Sequence, residues 1–362
     1  MNYKIIINGK IFTKKYITGV QRYTLEILKE LDKLIEKDEI EICVPQSATN
    51  IPNYKNFKIV KYSHLKNILW EQFAFPLYVK KNKGISVNLG NVSPWIEPGI
   101  VCIHDINCIK NPYNFQFKMR TWYSILFKRA MKKAKQVITV SEFCKKEMLD
   151  YYKVPESQIQ VTYNSWEHFK EIESDNKVFE KFPQLLQKDF FFSLGTLTKH
   201  KNLEWVLRVA KRNPQYLFAI SGWVNIKKFK KKLDLETPDN VIYLGYLSDG
   251  EVKAIYQKEK ALLFPSLYEG FGLPPIEALS VGSKIVVADI PCMHEVFSNS
   301  AIYIDPYKYD VNLDDVLNTD VCDPELILQK YSWKKSAERL FEIIKEVDNK
   351  KKDNKIKQKK KG

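Results

Sequence analysis

The residues with the clearest chemical promise lie in one run, Phe264-Pro265-Ser266-Leu267-Tyr268-Glu269-Gly270-Phe271-Gly272-Leu273-Pro274-Pro275-Ile276-Glu277-Ala278. Glycines at 270 and 272 let the backbone approach a ligand closely, and Pro275 suits the first turn of a helix, where its missing N–H is no loss. A helix over 274–281, stopped by Gly282, would aim unpaired N–H groups and a partial positive charge at whatever precedes it, which is the chemistry of a phosphate site. Glu269 falls in the loop before that helix and Glu277 about one turn inside it, so both carboxylates can border one pocket. An ionised carboxylate accepts several charge-assisted hydrogen bonds and is suited to gripping hydroxyls. Taken alone, two glutamates at this spacing read first as a helix cap and a solvated charge. Lys201 follows a turn containing Gly195 and is well placed to neutralise an anion, although an isolated lysine is usually solvated. His104, followed by Asp105, ends a predicted strand; the alternative for it is a ring bonded to a loop carbonyl. Gly19 either admits a charged ligand to the backbone or makes an ordinary turn before a helix. No DxD-like acidic pair follows a candidate strand, and the six cysteines show neither a CxxC pair nor zinc-type spacing, so no metal is expected.

Such residues need strands that end where they begin. Short β-branched runs alternate with amphipathic stretches along nearly the whole chain, the pattern of parallel sheets covered by helices on both faces. Strands are predicted over 4–8, 41–44, 85–88, 101–104 and 137–140, then over 190–194, 216–221, 241–244, 261–265 and 284–288. A helix is predicted over 21–35, where Tyr23, Ile27, Leu28 and Leu31 recur at spacings of three and four. A polar stretch over about 165–188 reads as an interdomain linker. The expected fold class is therefore α/β, with two doubly wound halves and a cleft between them. In open α/β sheets ligands sit beyond the carboxyl ends of the strands, where the residues above fall.

The run from 264 to 278 resembles the Glu-x7-Glu signature of glycosyltransferase family 4, retaining enzymes of the GT-B architecture with two Rossmann-like domains facing a central cleft. Gly195-Thr196-Leu197 with Lys201-Asn202-Leu203, Gly245-Tyr246-Leu247-Ser248, Val140-Ser141-Glu142-Phe143 and Ala301-Ile302-Tyr303-Ile304-Asp305-Pro306 are similar to recurring segments of that family, in the same order. Gly19-Val20-Gln21-Arg22-Tyr23 resembles the glycine-led loop that opens its first helix. The resemblance covers roughly residues 1–345 and implies domains over 1–165, for an acceptor, and 189–330, for a nucleotide sugar. It also implies a helix over 331–348 returning to the first domain, with a basic disordered tail over 349–362. It makes His104, Glu269 and Lys201 the catalytic residues. It places Gly19, Val20, Thr196, Lys201, Leu247, Glu269, Gly270, Phe271, Gly272, Leu273 and Glu277 at the nucleotide sugar, with Glu277 on the ribose. His200 departs from the arginine often found before the lysine. The implied reaction moves a hexose from a nucleoside-diphosphate sugar, GDP-mannose by a weak lean, to a glycan or lipid-linked acceptor of bacterial surface polysaccharide. It needs no metal and no cofactor beyond that co-substrate.

Composition sets the outer limits. With 362 residues, 44% of them apolar and 13% aromatic, the chain can fill two ordinary cores. Nothing at the start reads as a secretion signal and no stretch reaches the length of a membrane span, so a cytoplasmic protein is expected. The net charge is +15, and residues 350–362 hold eight lysines against one aspartate. That surplus points to an anionic partner, a phosphorylated substrate or the inner face of the cell membrane, or else to a solvated tail. Residues 113–135 interleave aromatic and basic side chains, which reads first as core packing and second as a membrane-surface helix. A pI of 9.2 raises nucleic-acid binding as an alternative, but no RRM, KH, zinc-finger or helix-turn-helix signature accompanies it, so no nucleic-acid partner is expected. A GT-B-type sugar-nucleotide epimerase is the other alternative.

Overall fold

The computed structural model describes residues 1–14, 16–195, 198–222 and 237–359, the last nine by backbone alone. The chain forms two compact units, Met1–Asn164 with Ser332–Gly362, and Ser165–Tyr331.

The first unit is built on a seven-stranded parallel sheet. Its strands are β1 (Ile5–Asn8), β2 (Ile40–Val44), β3 (Lys58–Lys61), β4 (Ile85–Asn88), β5 (Ile100–Cys102), β6 (Gln136–Thr139) and β7 (Ile159–Val161). They lie in the order β3-β2-β1-β4-β5-β6-β7. β1, β2 and β4 are buried along their whole length, as apolar strands must be when helices cover both faces. Ile5 pairs with Ile40 on one side and Ile85 on the other. The strand order therefore reverses between β1 and β4, which opens a crevice beyond their carboxyl ends.

The second unit repeats the plan with six parallel strands, β8 (Phe190–Leu194), β9 (Leu217–Ser221), β10 (Val241–Gly245), β11 (Leu262–Phe264), β12 (Ile285–Ala288) and β13 (Ile302–Ile304), ordered β10-β9-β8-β11-β12-β13. Its reversal falls between β8 and β11. Phe191, Phe218 and Leu263 of the sheet pack with Trp205 and Val206 of the helix Leu203–Arg212.

The final helix, Trp333–Lys359, lies against the helix Gly19–Leu31 of the first unit. Trp333, Leu340, Ile343 and Ile344 are buried there. Asp348 accepts hydrogen bonds from the amides of Asn2 and Tyr3 at 2.7 and 2.9 Å, tying the two ends of the chain together. The helix extends eleven residues past 348, so the backbone of the lysine run is helical to Lys359 where a disordered tail was expected. The stretch read as a linker, 165–188, is not one either. It holds the helices His168–Glu171 and Lys177–Lys181 and belongs to the second unit, with Val178 and Phe179 buried. Its polar composition hid anchors spaced too far apart to read as a period.

Candidate functional site

In the second unit the residues expected to do chemistry converge on the reversal between β8 and β11. β8 runs into Gly195, whose amide donates to the Ser221 carbonyl at 3.0 Å. A tight turn, Lys199–Lys201, then presents Lys201. β11 runs into the loop 265–272, and the Leu267 amide donates to the His200 carbonyl at 2.8 Å, joining the two loops. Lys201 Nζ donates to Glu269 Oε1 at 2.5 Å and sits 4.8 Å from the centre of the Phe264 ring. Both members of the pair are largely buried, so their mutual attraction is only partly screened by water. A small cavity lies beside Gly195, Lys201 and Ser266. The Ser266 hydroxyl, 1% exposed, has no hydrogen-bond partner among the described residues. Burial also holds the imidazole of His200 below its usual pKa, so this neighbour of Lys201 carries no charge at neutral pH.

The helix start differs in one respect from the sequence reading. The helix is Leu273–Ser280, and of its first four residues Pro274 and Pro275 carry no N–H while the Ile276 amide goes to the Gly272 carbonyl at 3.4 Å. The donors offered to an anion are thus loop amides rather than the first helical turn. Among the described residues the amides of Phe271, Gly272 and Leu273 make no backbone hydrogen bond. Gly272 sits at φ +100°, where glycine is favoured, and a Cβ there would come 3.0 Å from Met293 Cε, so the methionine's end would have to give slightly. Glu277 projects from the helix with Oε1 3.0 Å from His168 Nε2, a buried pair that fixes the carboxylate. His168 was hidden in the stretch read as linker, and nothing in its local sequence marks it. Leu247 follows β10 with its side chain buried, so only its backbone can meet a ligand. Thr196, expected at the nucleotide sugar, lies outside the described residues.

In the first unit, Gly19 and Val20 open the helix Gly19–Leu31, capped by a reciprocal Thr18–Gln21 box. Gly19 is not among the glycines at positive φ, so its value is the space it leaves rather than an unusual backbone. His104 is 6% exposed, with its ring 4.9 Å from that of Tyr23. A carbonyl can only accept, so Nε2 donates to the Leu89 carbonyl at 2.9 Å. Burial pushes the imidazole down to about 4, and His104 is neutral at physiological pH. The loop-carbonyl bond weighed as its alternative is present.

Beyond β1 and β4 lies a second cavity, of about 920 Å³ including space open to solvent. Lys10 Nζ donates to Glu71 Oε2 at 2.6 Å, and Asn8 reaches Glu71 Oε1 at 3.4 Å and Asn88 Oδ1 at 3.0 Å. Glu71 is 4% exposed. Thr18, Asn91 and Tyr123 are among the other polar residues of its lining. None of Asn8, Lys10 and Glu71 stood out in the sequence. A glutamate between Trp70 and Gln72 looks like a surface charge, and the wider π turn Trp70–Ala74 turns it inward.

Residues 17–166 match the profile of Glycosyltransferase Family 4, and residues 174–318 match that of Glycosyl transferases group 1. The chain is 28% identical over 308 residues to the O-antigen chain mannosyltransferase RfbU of Salmonella typhimurium, covering 80% of this chain and 83% of that one. Among solved structures, sucrose-phosphate synthase from Thermosynechococcus elongatus matches with a TM-score of 0.70 over 95% of this chain and 98% of its own, at 13% identity. HepE from Anabaena, in complex with UDP and glucose, matches with a TM-score of 0.65 over 95% and 99%, at 16% identity. Likeness at those identities establishes the fold, two Rossmann-like α/β units of the GT-B class.

Proposed function

The chain belongs to glycosyltransferase family 4, and from that premise we propose that it moves a hexose, mannose before others, from a nucleoside-diphosphate sugar to a glycan or lipid-linked acceptor of bacterial surface polysaccharide. The observation that carries this reading is the Lys201–Glu269 pair set beside the open amides of 271–273 at the reversal between β8 and β11. A diphosphate takes Lys201 and the amides; a sugar hydroxyl takes Glu269. The pair holds each group in place until the donor separates them. The barrier to glycosyl transfer falls when the charge developing on the departing diphosphate meets groups already oriented for it. The ammonium, the three amides and the Ser266 hydroxyl, unpartnered among the described residues, would supply that without a metal. Glu277, fixed by His168, is suited to the paired hydroxyls of a ribose. On the family resemblance alone we propose donor contacts for Gly19, Val20 and His104, and retention of configuration.

The lean to GDP-mannose comes from the sequence resemblance, and the mannosyltransferase RfbU among the relatives supports its sugar; a nucleoside diphosphate as carrier is in keeping with the UDP bound by HepE. The cavity around Lys10 and Glu71 suits an acceptor sugar, since a carboxylate, an ammonium and two asparagines offer hydroxyls both donors and acceptors. The enzyme would work on the cytoplasmic side, at the inner face of the membrane where a lipid-linked acceptor lies. Differential scanning fluorimetry against GDP-, UDP-, dTDP- and ADP-sugars tests the donor. A rise in Tm with one base supports the reading, and no shift with any of them counts against it.

A further inference from the structure

We infer that the first unit docks on an anionic bilayer through an apolar face formed by residues 65–77 with Trp95 and Ile96, a surface its sequence does not advertise. The helical segment 67–81 is apolar on two sides. Trp70, Phe75 and Val79 fill the core beside β1 and β2. On the outward side Leu69, Phe73 and Leu77 recur every four residues and are 54%, 57% and 60% exposed, with Leu65, 42% exposed, just before the helix begins. Single exposed apolar residues are ordinary, but a stripe along one helical face is not.

The stripe widens sideways. The Trp95 amide donates to Gln72 Oε1 at 2.8 Å, which sets Trp95 and Ile96, 44% and 64% exposed, against the same segment. Arg129 donates to the Trp95 carbonyl at 3.0 Å and lies 5.0 Å over its ring, which joins the helix Phe117–Lys133 to this surface. The charges around it are mostly basic, with the exposed Glu97 beside Ile96 the exception. Residues 61–83 and 117–133 together hold eleven lysines and arginines and a single acid, Glu71, which is buried and paired with Lys10. Apolar side chains flanked by cations are the chemistry of a helix lying in the headgroup region of an anionic membrane. Among the described residues no helix is long and apolar enough to cross a bilayer, so the attachment is to its surface. Glu71, Asn91 and Tyr123 line the cavity from these same elements, so docking here would present that cavity to molecules held in the bilayer.

This inference rests on the proposed reading only for what the bilayer delivers, and the test separates the two. The full chain is floated with vesicles of phosphatidylcholine alone or with added phosphatidylglycerol, beside the variant Leu69→Ser/Phe73→Ser/Leu77→Ser and the charge variant Lys66→Glu/Lys80→Glu. The expected result is that wild type floats with the anionic vesicles and not the neutral ones, and that both variants lose at least about fivefold of the bound fraction. Their thermal unfolding and their response to nucleoside diphosphates should match wild type. Flotation of the triple variant equal to wild type would overturn the proposal and leave the lysine run at the end as the anchor. A wild-type dimer in lipid-free solution that the triple variant dissolves, with vesicle binding unchanged, would overturn it in favour of a second copy of the chain. Failure of the wild type to answer any nucleotide would sink the proposed function and leave the docking result standing.

Discussion

At the scale of single residues, one ammonium and one carboxylate held 2.5 Å apart carry the proposed chemistry. Lys201→Ala and Glu269→Gln should each lower kcat/KM by about tenfold or more, the scale of a lost charged contact in a transition state. Steady-state assays with a nucleotide sugar check this, and near-normal rates in both variants would remove the pair from the chemistry. If Lys201 and the amides of 271–273 supply the charge that a metal would otherwise bring, as proposed, turnover should also survive chelation by EDTA. His104 makes a prediction about stability. Its imidazole accepts a proton near 6.5 in the unfolded chain and only near 4 when folded. Between those values the unfolded state binds more protons, so stability falls as pH drops from about 6.5 to about 4, by about 3 kcal/mol. Above that window the group contributes no slope. Denaturant unfolding at both ends of the window should show the loss in wild type and a flatter profile in His104→Gln.

At the scale of elements, the loop before Leu273–Ser280 depends on a left-handed residue at its end. Gly272→Ala adds a Cβ at φ +100° against Met293 and should cost about 1–2 kcal/mol together with nucleotide affinity. Gly282→Ala is the control: φ is +84° there with open space around the Cβ, so stability should fall by a similar amount while nucleotide binding holds. Calorimetric titration with a nucleoside diphosphate separates the two. The strands β1, β8 and β11 were plain in the sequence because each is an apolar run followed at once by glycine or proline. β3, β7 and β13 were not singled out, since Lys-Ile-Val-Lys at a half-exposed edge and two three-residue strands are too short to show a period. Glu269, Lys201 and the glycines were legible because loop chemistry is local. Glu71 and His168 were not, because their partners are 61 and 109 residues away and only the fold brings them together.

At the scale of the whole molecule, the chain crosses from the first unit into the second and then returns, so the first unit is completed by residues that come last in the sequence. Leu340→Ala opens a hole under Trp333–Lys359, where Leu340 is fully buried, and should destabilise by about 2–5 kcal/mol in chemical unfolding. The same substitution should leave the Lys201–Glu269 region untouched, so nucleotide binding by the folded fraction should keep its Kd. Two sheets with the same order of reversal give two crevices of different chemistry, one with open amides and a lysine, the other with a buried carboxylate–ammonium pair and asparagines. That division suits a reaction between an activated phosphate ester and a polyol. Its most direct test is the position of the diphosphate in a crystal complex with a nucleoside-diphosphate sugar. Phosphate oxygens are expected within about 3 Å of Lys201 Nζ and of the amides of 271–273, with a sugar hydroxyl on Glu269. A diphosphate bound away from residues 195–201 and 269–277 would contradict this expectation.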